Sequence, residues 1–258
     1  MKKKNKIFNI IVIILIIVLY IWVISGIHFD GIKPTAKEIT KAIFKGLIHP
    51  DWSYVYSPDG EDLISGLLDT LAIAALGTVI SAVLSIPFAF LATKKIVNLK
   101  PVTGLGRFLL EFIRTFPELV LAILFIKAVG PGSFAGVLAL GVSSIGMVGK
   151  LFSESIDSMD LNAIEALTAC GANGAQKIWF AIIPQVLPEF ASLTLYRFEI
   201  NVRSATILGI IGAGGIGTPL IYALQARGWS RVGIILLGII VMVTIIDLIS
   251  GFIRKRLV

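Results

Sequence analysis

Apolar runs long enough to cross a bilayer recur along almost the whole chain, and no other feature restricts its fold so strongly. About 20 apolar residues span the ~30 Å hydrocarbon layer. Runs of that order lie at residues 7–27, 63–93, 108–129, 134–151, 185–211 and 232–253. Inside a bilayer the backbone must satisfy its own hydrogen bonds, so such runs fold as helices. The expected fold class is all-α, a polytopic membrane protein with six transmembrane helices. Of its 258 residues, 56% are hydrophobic and only 15% charged, so no sizeable soluble domain fits beside the spans.

The first run follows Lys2, Lys3, Lys4 and Lys6. It exceeds the usual h-region of a signal peptide and no A-x-A site follows, so a retained first helix is expected. The single cysteine, Cys170, excludes an intrachain disulfide and a thiolate metal site. A net charge of +7 points to nucleic acid in a soluble protein, but here the cations flank apolar runs and instead set orientation. Six spans put both termini on one side together with the basic 94–107 connection, which makes that side the cytoplasm. The lysines at 33–45 count against this, although they alternate with Asp30, Glu38 and Asp51 in a longer loop.

Residues 1–62 read as an N-terminal transmembrane helix and an extracytoplasmic loop, and 63–258 as the main membrane domain. Within the loop, Thr35-Ala36-Lys37-Glu38 forms a capping-box pattern, with Gly46 as the expected stop. Ile39, Ile43 and Leu47 lie opposite Lys37, Lys41 and Lys45, which fits either a surface-lying amphipathic helix or a solvated one. In the second span Gly77, Ser81 and Ser85 recur every fourth residue, a stripe that admits a close helix neighbour. Pro87 falls in that span, Pro117 in the third, and Gly130-Pro131-Gly132-Ser133 makes a turn.

Residues 152–184 are the largest polar feature on the expected cytoplasmic side, two short helices broken at Gly171. The first starts near Asp160 or Asn162, and the second covers about 172–180. Pro184 and Pro188 mark where the fifth span begins. A helix-Gly-helix knob with small surface residues suits a partner's groove, and an ordinary structured loop is the alternative.

Glu165-Ala166, then Gly171-Ala172, then Ile183-Pro184 and Leu187-Pro188 resemble the EAA loop of ABC importer permeases. Phe116-Pro117-Glu118-Leu119-Val120, Ile145-Gly146-Met147-Val148-Gly149-Lys150-Leu151-Phe152 and Leu195-Tyr196-Arg197-Phe198-Glu199-Ile200-Asn201-Val202-Arg203 resemble the phosphonate importer permeases in particular. The likeness covers roughly residues 63–253, and Asp69 stands where Glu is expected. It implies a methionine-importer-like permease fold with a cytoplasmic coupling helix. In that helix Glu165, Ala166, Gly171, Ala172, Lys177 and Pro184 would couple to an ATPase. It further implies a second copy of the chain, a cytoplasmic subunit that binds ATP and Mg, an extracytoplasmic phosphonate-binding protein and a bacterial cytoplasmic-membrane location. No cofactor is expected on this chain, whose sequence carries no G-x-x-x-x-G-K-[ST] phosphate cradle.

Charges inside spans cost at least ~2.5 kcal/mol in hydrocarbon and so face protein or water. On the third span Glu111, Arg114 and Glu118 are spaced i, i+3, i+7 and are expected to share a face. On the fifth span Glu199 and Arg203 are positioned to neutralise each other, while Arg197, Asn201 and Ser204 form another face. Arg197, Asn201 and Arg203 are the candidates to line an oxyanion path, because guanidinium binds such oxygens bidentately. Lys127 reads as a snorkelling residue.

Gly212-Ala213-Gly214-Gly215-Ile216-Gly217 satisfies G-x-G-x-x-G but lacks a βαβ context and a following acidic residue. A gate at Gly212, Gly214, Gly215 and Gly217, on a flexible unwound end of the fifth span, is the functional reading, and turn chemistry the plain one. His28 and His49 have no companions at metal-ligand spacing. A transport subunit is expected, not an enzyme and not a nucleic-acid binder, moving phosphonate or a related phosphorus oxyanion. A permease for another small solute, a gradient-driven secondary transporter and a membrane enzyme are the rival classes.

Overall fold

Helix accounts for every regular element of the computed structural model, which describes residues 2–26, 36–57, 61–96 and 99–257. The chain divides into two units, Met1–Phe44 and Lys45–Val258. The first contains α1 (Lys2–Ser25) and most of α2 (Ala36–Ile48). Thr35 and His28 lie outside the described residues, and so does the expected capping box that begins at Thr35. Gly46 does not stop α2, which runs on to Ile48. A Cβ at Gly46 would sit 2.4 Å from Trp229 Cβ, so glycine serves there for close packing and not as a terminator.

The second unit is built on α3 (Leu63–Ala92), α6 (Ser133–Ser158), α9 (Ile183–Ile210) and α11 (Trp229–Leu257), with the short α10 (Gly217–Gln225) between the last two. With α9 extended back to Gly174, these are the four helices long and apolar enough to span a membrane among the described residues. The Gly77, Ser81, Ser85 stripe is buried and packs on α6, where a Cβ on Gly77 would meet Leu140 at 2.7 Å. Ser85 Oγ donates to the Ile145 carbonyl across the same contact. Leu208, Val202, Ile73 and Leu140 close the centre of this core.

The expected continuous third span is two helices, α4 (Lys100–Thr115) and α5 (Glu118–Val129). Phe116 is extended at ψ 122, the conformation that a following proline imposes, and Pro117 lacks the N–H that would carry the helix across. Glu118 therefore begins a new helix and does not share a face with Glu111 and Arg114. By contrast α3 continues through Pro87.

Candidate functional site

α9 carries a polar row into the middle of the bundle. Arg197 is buried and its Nε donates to Ser144 Oγ at 2.9 Å on α6. Its Nη1 approaches Met147 Sδ at 3.2 Å, and its Nη2 lies 3.5 Å from Glu118 Oε1 at the start of α5. Asn201, one turn on, is fully buried and donates to Thr78 Oγ1 of α3 at 2.8 Å. Ser204 Oγ donates to Glu118 Oε2 at 3.0 Å. Four helices thus meet on one hydrogen-bonded cluster. The α5 break is what allows it, since it sets Glu118 on the N-terminal turn, where helix dipole and Arg197 both favour a carboxylate.

Glu199 and Arg203 of α9 pair with α11 instead of with each other, while Glu189, nearer the start of the helix, accepts from Ser155 of α6. Arg203 Nη2 reaches both carboxylate oxygens of Asp247 at 2.8 and 2.7 Å, and both side chains remain about half exposed. Glu199, only 8% exposed, accepts from Arg254 Nη2 at 2.8 Å. The expected Glu199 to Arg203 pairing is replaced because α11 runs along that face of α9 and offers better-placed partners. Arg254 thus joins the bundle instead of only marking a cytoplasmic end.

At the far end of α9 the helix closes with a Schellman motif. Gly212 has φ +96, its N–H bonds the Gly209 carbonyl, and Ala213 N–H bonds that of Leu208. The whole segment is packed tightly: a Cβ on Gly217 would fall 2.2 Å from the Thr206 carbonyl, and one on Gly215 2.6 Å from Thr70 Oγ1. Thr70 Oγ1 also accepts from Ile216 N–H. Positive φ at Gly212, Gly214 and Gly215 and close packing at Gly217 make glycine necessary at each position, and the segment is anchored, not loose.

Residues 160–182 form two short helices at the opposite end of α9. α7 (Asn162–Ala169) is headed by Asp160, whose carboxylate accepts from Asn162. It ends in a second Schellman motif with Gly171 at φ +78 and Ala172 N–H bonded to the Leu167 carbonyl. α8 (Gly174–Lys177) starts on an Asn173 and Gln176 capping box, then continues through a π-helical turn at Ile178–Ile182 into α9. Glu165, Ala166, Gly171 and Pro184 are exposed, while Ala172 and Lys177 are half-buried. Ile164, Ile178 and Ile182 tie the segment to Phe152 and Phe190.

Sequence reasoning missed Asp157. Its Oδ1 accepts from Thr93 Oγ1 and from the Lys94 and Lys95 N–H groups, and its Oδ2 from Arg107 at 3.0 Å. Arg107 Nε bonds the Ala92 carbonyl. One carboxylate thereby fixes the α3 to α4 corner against the end of α6, five residues before α7. Asp247, Ser144 and Thr78 were missed as well; only through-space packing brings them to the charges of α9.

Residues 85–258 match the family described as binding-protein-dependent transport system inner membrane component. The chain belongs to that family. As such a component it is a membrane-embedded permease subunit of an ABC importer and not an enzyme. It is 45% identical over 193 residues, 75% of its length and 70% of the other, to the phosphite transport system permease protein PtxC of Stutzerimonas stutzeri. It is 35% identical over 216 residues to the phosphate-import permease protein PhnE of Mycolicibacterium smegmatis, spanning 84% of this chain and 40% of that protein. In fold it resembles a chain of the inward-facing MetNI methionine ABC transporter, with TM-score 0.67 and 19% identity over 76% of this chain and 96% of that one. The methionine-importer-like fold is therefore present.

Proposed function

We propose that this permease subunit imports phosphonate, phosphite or a related phosphorus oxyanion in an ATP-driven complex. The observation that carries the substrate class is the 45% identity to a phosphite permease. A guanidinium buried among spans, whose ion pair among the described residues is a 3.5 Å contact to a partly exposed carboxylate, supports it. Six spans are reached by counting α1 as the first and the α4 to α5 pair as the third, with both termini cytoplasmic. Residues 63–258 then form the permease domain and 152–184 its coupling loop.

Two copies would enclose the path, since one chain leaves Arg203 and Asp247 half exposed at span depth. Arg197 and Arg203 line it, Arg197 passing the anion while Glu118 gives way, and Asn201, expected on the path but fully buried, acts from behind by holding the Ser144 hydroxyl that positions Arg197. Glu165, Ala166, Gly171, Ala172, Lys177 and Pro184 meet a cytoplasmic ATPase that holds ATP and Mg. A solute-binding protein docks on the outer face, and the Gly212, Gly214, Gly215 and Gly217 turn gates there by moving with α9 as one piece. Uptake of phosphite or methylphosphonate into vesicles should require ATP and be stopped by vanadate. Uptake abolished only by an uncoupler would replace this reading with a gradient-driven carrier.

A further inference from the structure

We propose that the cleft between α4 and α6 is a second oxyanion-binding point, on the loop side of Arg197, with Lys150 as its principal ligand. The proposal rests on the oxyanion reading above and deepens it. Beyond Ser143, the unburied residues of α6 fall on or beside one stripe, Ser143, Met147, Lys150 and Glu154, at helical spacing. The stripe starts at the first site: Ser143 Oγ donates to Glu118, and Met147 Sδ accepts from Arg197. Lys150 is one turn further along, a rise of about 4.5 Å. Lys150 and Glu154 keep 42% and 60% of their side chains exposed, and charges on a span face protein or water instead of lipid because hydrocarbon penalises them.

The stripe opens into a cleft of about 240 Å³ lined by Arg107, Leu110, Glu111, Lys150, Ser153 and Glu154. That is the volume of roughly eight waters, enough for a small tetrahedral anion that keeps part of its hydration. Lys150 is held only loosely, 3.8 Å from Glu154, so an anion need not break a tight pair to reach it. Arg107 also lines the cleft but is committed to Asp157 and the Ala92 carbonyl, so its charge is largely neutralised and Lys150 is the cation left to meet an anion there. Glu111 and Glu154 weaken the site. A release point needs that weakness, since conduction fails where the ion is bound too well to leave.

The test uses the complete transporter in proteoliposomes, in a Cys170→Ser background, with phosphite as the probe. Lys150→Gln should lower maximal import about fivefold or more, with unchanged half-saturation and unchanged melting temperature, and Lys150→Arg should restore most of the rate. Lys150→Cys should react with an anionic thiol reagent and be slowed by phosphite, whereas Val148→Cys, buried one turn-face away, should not react. Import by Lys150→Gln at the wild-type rate, as a snorkelling lysine would give, overturns the proposal. So does a Lys150→Cys as inert as Val148→Cys, or a Lys150→Arg that fails together with Lys150→Gln through lost assembly. A wild-type complex that imports no phosphite, methylphosphonate or phosphate removes the oxyanion reading itself, an outcome distinct from these.

Discussion

α6 and the 160–182 segment are consecutive in the chain and opposite in how they hold together. α6 buries fifteen of its 26 residues, whereas α7 and α8 bury none. A helix of α7's length is marginal alone in water. Its shape comes instead from local caps at Asp160, Gly171 and Asn173, and its attachment from a few isoleucines. Most of α6 is therefore held by tertiary packing, with its Ser143 to Glu154 stripe left open, whereas the 160–182 segment is a locally preset shape with an exposed surface. Buried packing is concentrated in the first region and exposed surface in the second, which is the contrast the proposed coupling role uses.

Substitutions should separate the two. Arg197→Ala removes the cation beside Glu118 and should cost about 3 kcal/mol, the low end for a broken buried pair because Glu118 keeps some solvent and its bonds from Ser143 and Ser204. A large drop in detergent melting temperature, only partly relieved by Arg197→Lys, would show it. Gly217→Ala places a methyl against the Thr206 carbonyl and should cost about 2 kcal/mol by the same measurement. Asp157→Asn loses the ionic bond to Arg107 and some of the backbone bonds, about 1.5 kcal/mol, and should also lower transport per ATP hydrolysed.

Glu165→Ala should shift melting by less than about 0.5 kcal/mol yet reduce uptake and ATPase binding. A destabilised Glu165→Ala would break the contrast between the regions. The smallest effect concerns Asp62, the N-cap of α3. Hydrogen bonds from Ser65, side chain first, hold its carboxyl below the usual carboxylate range. Its contribution is thus complete above the unfolded carboxylate value and is lost as pH falls through the lowered one. Asp62→Asn should flatten that acid limb of the melting curve and leave neutral stability nearly unchanged.

Most of the bundle was legible because bilayer thickness and helical period are one-dimensional signals. Gly77, Ser81 and Ser85 marked a close helix contact without naming its partner, which is α6, and Gly171 the break in the 160–182 segment. The third span misled, since hydropathy runs on across Phe116-Pro117 while the backbone cannot. The ion pairs were only half legible: Arg197, Glu199 and Arg203 announce themselves as charges within a span, but Asp247, Arg254 and Asp157 are distant in sequence. Gly46 and Gly217 show the same limit, because a glycine that permits contact looks identical to one that ends a helix.

The sole cysteine offers the most direct measurement of the central claim that the exposed segment is where the ATPase engages. Cys170 is exposed beside Gly171. In the assembled transporter its maleimide labelling should fall sharply relative to the permease alone and vary with the nucleotide bound, and a short bifunctional thiol reagent should link it to the ATPase subunit. Labelling that is equally fast with and without the ATPase, in every nucleotide state, would contradict the account.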